Sequence, residues 1–78
     1  MLYLGDLELN KVYGFVGVYG AQDFVKYDGK KVYCGNVQGN SLGVICIDKV
    51  VRLKDVKHVV KQAKELGYTV VKGSSMSY

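Results

Sequence analysis

From residue 11 to 48, apolar and polar residues alternate in short runs broken by Gly, Asn and Asp; from 53 to 66, apolar residues recur every third or fourth position. The first pattern is that of half-buried strands and the second that of an amphipathic helix. Asp28-Gly29 between two β-rich runs reads as a two-residue type I′ hairpin turn, which requires two positive φ angles. That turn predicts a register pairing Lys26 with Lys31, Val25 with Val32 and Phe24 with Tyr33. A second turn at Gly39-Asn40 would pair Cys34 with Ile45, Tyr33 with Cys46, Val32 with Ile47 and Lys31 with Asp48. Together they sort side chains onto two faces. Val25, Tyr27, Val32, Cys34, Ile45 and Ile47 form the core face; Phe24, Lys26, Lys31, Tyr33, Val44, Cys46 and Asp48 form the other. Cys34 and Cys46 then point apart, which forbids a disulfide between them.

Residues 11–19 supply an earlier strand. Leu2–Leu4 and Leu7–Leu9, with a bulge near Gly5, read as a fifth. Glycines at 14, 17, 35 and 43 suggest sharp bends, as in a small barrel. On the helix, Leu53, Val56, Val59, Val60, Ala63 and Leu66 make one apolar stripe, and Gly67 is a natural residue to end it. Residues 68–72 read as a last short strand and 74–78 as a flexible tail. The expected architecture is α+β: a curled antiparallel meander tending toward a small SH3-like barrel, one C-terminal amphipathic helix and a final strand, in a single domain over residues 1–73.

Composition narrows the function classes. Seventy-eight residues allow one core, and a 49% hydrophobic content excludes a disordered chain. No apolar run reaches the ~18 residues of a membrane span, and the N-terminus lacks the basic and apolar regions of a signal peptide, so a cytoplasmic protein without a membrane partner is expected. The net charge of +4 is uneven. Residues 1–48 carry four lysines against five acids, whereas residues 49–78 carry seven basic residues against two acids. With two cysteines and one histidine, the chain lacks the four ligands of a closed zinc site. No Ser or Cys has a visible base beside it, and the carboxylates are scattered. An enzyme and a cofactor are therefore not expected.

Lys54, Lys57, Lys61 and Lys64 fall within about 80° of one another on the helix, unalternated with acids. Lys26 and Lys31, opposed between Phe24 and Tyr33 on a sheet face, would add two cations beside two aromatic rings. Tyr13 and Phe15 share a face of the first strand. Lysines to neutralise phosphates and rings to stack on bases point to sequence-tolerant binding of nucleic acid. The alternative is a protein-interaction or self-associating module, such as a homodimer or a small inhibitor or structural protein of the kind viruses encode. It would use the half-apolar second face of the sheet.

Overall fold

The computed structural model describes residues 1–17, 22–36 and 46–73. The fold is α+β: five strands in one mixed sheet, with one helix across it. Strands β1 (Val12–Val16), β2 (Gln22–Tyr27) and β3 (Lys31–Asn36) form an antiparallel meander at the centre. The two-residue β4 (Lys49–Val50) then lies parallel to β1 at one edge. Helix α1 (Leu53–Glu65) crosses to the other edge, where β5 (Thr69–Gly73) runs parallel to β3. The strand order is β4-β1-β2-β3-β5. Crossing four inter-strand gaps takes about 19 Å, and a helix of this length spans about 20 Å. The helix is thus just long enough to join the two edges.

The sheet is open and does not close into an SH3-like barrel. Its edge strands lie at opposite ends, held apart by the helix that connects them. The edge of β3 expected to meet residues 41–48 is taken by β5, with Val32 opposite Val70 and Cys34 opposite Lys72. Asp48 sits beside β1 instead of Lys31: its N–H donates to the Val12 carbonyl and its carboxylate accepts from the Val12 N–H, both at 2.8 Å. The Gly39-Asn40 turn, Val44, Ile45 and the proposed tail at 74–78 lie outside the described residues.

The first hairpin forms, but with a longer loop. Pairing begins at Tyr27 opposite Val32, so Lys26 faces Tyr33, Val25 faces Cys34 and Phe24 faces Gly35. The cause is Asp28, whose carboxylate accepts from the N–H groups of Lys30 and Lys31 at 2.8 and 2.7 Å. These same bonds hold the Asp28 carboxyl below its ordinary pKa. A shift of two residues preserves strand parity, so the sorting of β2 and β3 into faces survives. Val25 and Val32, both fully buried, meet Val56, Val59 and Ala63 of the helix in the main core, joined by Leu4, Leu7 and Tyr13.

The N-terminal leucines make no strand. Leu4–Asp6 is a single 3₁₀ turn, and Leu4 and Leu7, three residues apart, both enter the core. The helix supplies the polar partners that a neighbouring strand would have supplied. Asp55 Oδ1 accepts from the Leu2 N–H at 3.2 Å, Gln62 Oε1 accepts from the Leu4 N–H at 2.7 Å, and His58 Nδ1 lies 2.8 Å from the Leu2 carbonyl. A carbonyl only accepts, so His58 carries its proton on Nδ1. The helix ends as expected at Gly67 (φ +84°): the Tyr68 N–H donates to Ala63 and the Gly67 N–H to Lys64, a Schellman arrangement.

The second sheet face is also covered at its centre. Phe24 has no exposed surface and Val12 has 7%. Phe24 lies between Gly14 and Gly35 in the register, which leaves lateral room for its ring. Ile47, expected on the core face opposite Val32, rests instead against Gly14 on this second face, 2.6 Å from where a β-carbon would stand. Gly35, at φ +142°, is backed by the Gly73 carbonyl with no room for a side chain. We expect Gly35→Ala to destabilise the fold by more than about 1 kcal/mol, because it combines an unfavourable φ with a backbone collision. Chemical denaturation of the two proteins measures the difference; an unchanged midpoint would show that β3 and β5 do not approach this closely.

Candidate anion-binding groove

Where α1 passes over the ends of β2, β3 and β5, a groove of about 430 Å³ opens between helix and sheet. Leu53, Val56 and Val60 form its helical wall, and Cys34 and Gly35 its sheet side. Lys57, Lys61 and Lys64 reach it from the helix, Lys72 from β5, and Asp23 from β2. Strand parity explains Lys72: it shares the helix-facing row with Val70, but at the strand's far end, where the row has reached solvent. Helical periodicity explains the rest, since the lysines flank the apolar stripe that anchors α1.

Cys34 lies at the meeting point of these groups. Burial pushes its thiol pKa up, the nearby Lys72 and Lys64 ammoniums pull it down, and Asp23 adds to the rise. Lys64 and Lys72 therefore bring positive charge to one thiol from two different elements. Among the described residues the ion pairs are Glu8 with Lys11 at 2.7 Å and with Lys49 at 3.9 Å. None of the four groove lysines takes part in an ion pair there. Four ammoniums against the single carboxylate of Asp23 leave the groove strongly cationic.

Compared with known proteins, the chain matches no family model, no curated protein and no solved structure.

The sequence-derived surface is divided by the fold. Lys57, Lys61 and Lys64 line the groove, and Lys54 is exposed on the same helix but outside the lining. Lys26, Lys31 and Tyr33 belong to the opposite face of the sheet, so they cannot join the helix lysines in one flat surface. The two lysines are not opposed either; the Lys26 ammonium lies 5.2 Å from the centre of the Tyr33 ring, a favourable cation–π contact. Two of the four rings proposed to stack have no surface to offer. Tyr13 is 4% exposed, with its hydroxyl accepting from the Glu8 N–H at 3.0 Å, and Phe24 is fully enclosed. Phe15 is half-buried against the main core and Tyr33 half-buried on the second face.

Lys72 is the groove residue that sequence reasoning missed. The available signal was a lysine two positions after Val70, in the inward-facing row of a strand. His58, the only histidine, is occupied by the Leu2 carbonyl and by an edge-on contact with the Tyr3 ring, 5.0 Å between centres. Among the described residues, no three of His, Cys, Asp and Glu gather as metal ligands. Cys34 and Cys46 are both free thiols, the first buried and the second exposed.

Three measurements check this placement. Phe24→Ala should cost about 3–5 kcal/mol, the usual range for emptying a buried aromatic site. For a chain of this size, with about 4–12 kcal/mol in total, that is much of its stability. A substitution that left unfolding unchanged would return Phe24 to the surface. Iodoacetamide at pH 8 should label Cys46 much faster than Cys34, which is both enclosed and poor in thiolate. Because the folded state holds the Cys34 proton longer than the unfolded chain does, stability should fall as pH rises past the range where free thiols ionise, about 8.5. Equal labelling rates would contradict the burial of Cys34.

Proposed function

We propose that this domain is a non-enzymatic binding module for an anionic polymer, with nucleic acid the best match. The observation that carries the reading is the convergence of Lys57, Lys61, Lys64 and Lys72 along one helix–sheet border, with Asp23 the one carboxylate in the lining and none of the four lysines in an ion pair among the described residues. Like charges at i,i+4 on a helix, as at Lys57 and Lys61, cost a few tenths of a kcal/mol, and a polyanion reverses that cost. Phosphates spaced along a strand suit a row of lysines, each of which acts as a flexible point charge rather than a fixed fork. Lys54 extends the row. Such binding is tolerant of sequence, since no side chain in the row reads base edges.

A titration of labelled single-stranded oligonucleotide across ionic strength tests the reading. Affinity should fall linearly in log–log form, by about 0.7 per phosphate neutralised. Lys57→Glu/Lys61→Glu should weaken binding by at least tenfold at low salt and flatten that slope. No binding at low salt, or unchanged affinity in the double variant, would remove nucleic acid from this surface.

The second reading, docking to a protein or to another copy of the chain, has one observation in its favour. Strand β5 stands at the end of the sheet, where a partner strand could add to its outer edge. Light scattering separates the two. A dimer that persists at high salt supports strand addition, and a monomer that binds oligonucleotide only at low salt supports the first.

A further inference from the structure

We infer that the groove beneath α1 is also a binding site for a small amphiphilic acid, a molecule with an apolar body and one anionic head. The inference shares its lysines with the nucleic-acid reading but rests on a different feature, the apolar interior that those lysines surround. A polyphosphate needs only charge. This site offers more: Leu53 and Val60 remain partly exposed in its helical wall, and the buried Val56 and Cys34 complete its apolar lining. Its volume, about 430 Å³, falls at the small end of the range usual for ligand pockets, about 300–1,000 Å³.

Charge complementarity selects the ligand class. An apolar groove alone would accept any hydrocarbon. Here ammoniums stand on both banks, with Lys64 on the helix and Lys72 on the strand both acting on the Cys34 thiol. An anionic head between them would relieve the repulsion across the groove, while its tail covers apolar side chains now facing water. A neutral analogue would gain only the second effect, and a cationic one would add to the repulsion. Asp23 adds negative charge on the sheet side and so disfavours a second anionic group there, which suits a ligand with one head.

The probes are decanoate, decanol and decyltrimethylammonium, titrated by calorimetry into the full chain carrying Cys46→Ser, so that Cys34 is the single thiol. Decanoate should bind saturably, one per chain, at least tenfold tighter than decanol and far tighter than the cation. It should slow the alkylation of Cys34. Lys64→Gln/Lys72→Gln should weaken decanoate at least tenfold and leave decanol unchanged, whereas Lys30→Gln/Arg52→Gln should alter neither. Circular dichroism of each variant confirms that it is folded. Equal affinity for decanoate and decanol, absence of saturation, or binding without protection of Cys34 would each overturn the proposal. Decanoate binding by a protein that ignores oligonucleotide would uphold this site and remove the nucleic-acid reading; oligonucleotide binding without decanoate binding would do the reverse.

Discussion

The packing of Val56, Val59 and Ala63 onto Val25 and Val32 is the contact on which the remaining structure depends. It seats the helix across the meander, and the helix ends then determine where the outer strands lie. Residues before Leu53 must leave at the β1 edge and residues after Gly67 must enter at the β3 edge. A βαβ crossover thus encloses an antiparallel core, and a sheet that begins as a meander finishes with parallel strands on both flanks. Such a crossover has the span of the helix as its limit, which matches a five-stranded sheet of this width.

The helix has three working faces. Its apolar stripe meets the sheet. Its second row, Asp55, His58 and Gln62, binds the backbone of residues 2–4 and holds Leu4 and Leu7 in the core. This row explains how a segment with neither a strand neighbour nor a long helix satisfies its polar groups, since each side chain answers one backbone donor or acceptor. Its third row carries the lysines, which are the cationic border of the groove. The chemical character of the groove follows from this division of labour. Apolar residues at the margin of the stripe are left half-covered where the sheet ends, and lysines stand next to them in the helical repeat.

Binding surfaces on small domains often need more than charge. Here the second sheet face, expected from strand alternation to offer rings for stacking, is closed at Phe24 and Val12, with Ile47 laid over Gly14. Phe24 and Tyr13 are therefore structural, and the lysines that the fold gathers lie at the helix border. On the function proposed above, that border takes ligands with spaced or amphiphilic negative charge rather than ligands held by aromatic stacking.

The local rules written in the chain determined much of this molecule. A 3.6-residue apolar repeat, a glycine in the left-handed region and strand alternation around an Asp-Gly loop specified α1, its termination at Gly67 and the facing of Val25, Val32 and Lys26. These are decided within a few residues, by backbone sterics and side-chain direction. Tertiary structure decided which strands are neighbours. The competition between residues 46–48 and 69–73 for the free edge of β3 is resolved by where the helix delivers the chain, which no local pattern records. The two-residue lengthening of the Asp28 loop is local, set by its carboxylate on the Lys30 and Lys31 N–H groups. Tertiary structure also decided that Leu4 and Leu7 would be fastened by helix side chains rather than paired in the sheet, and that Lys72 would join Lys64 at one thiol. Each of these brings together residues distant in sequence or substitutes a side-chain hydrogen bond for an expected backbone one. Such choices are settled only when the whole core closes.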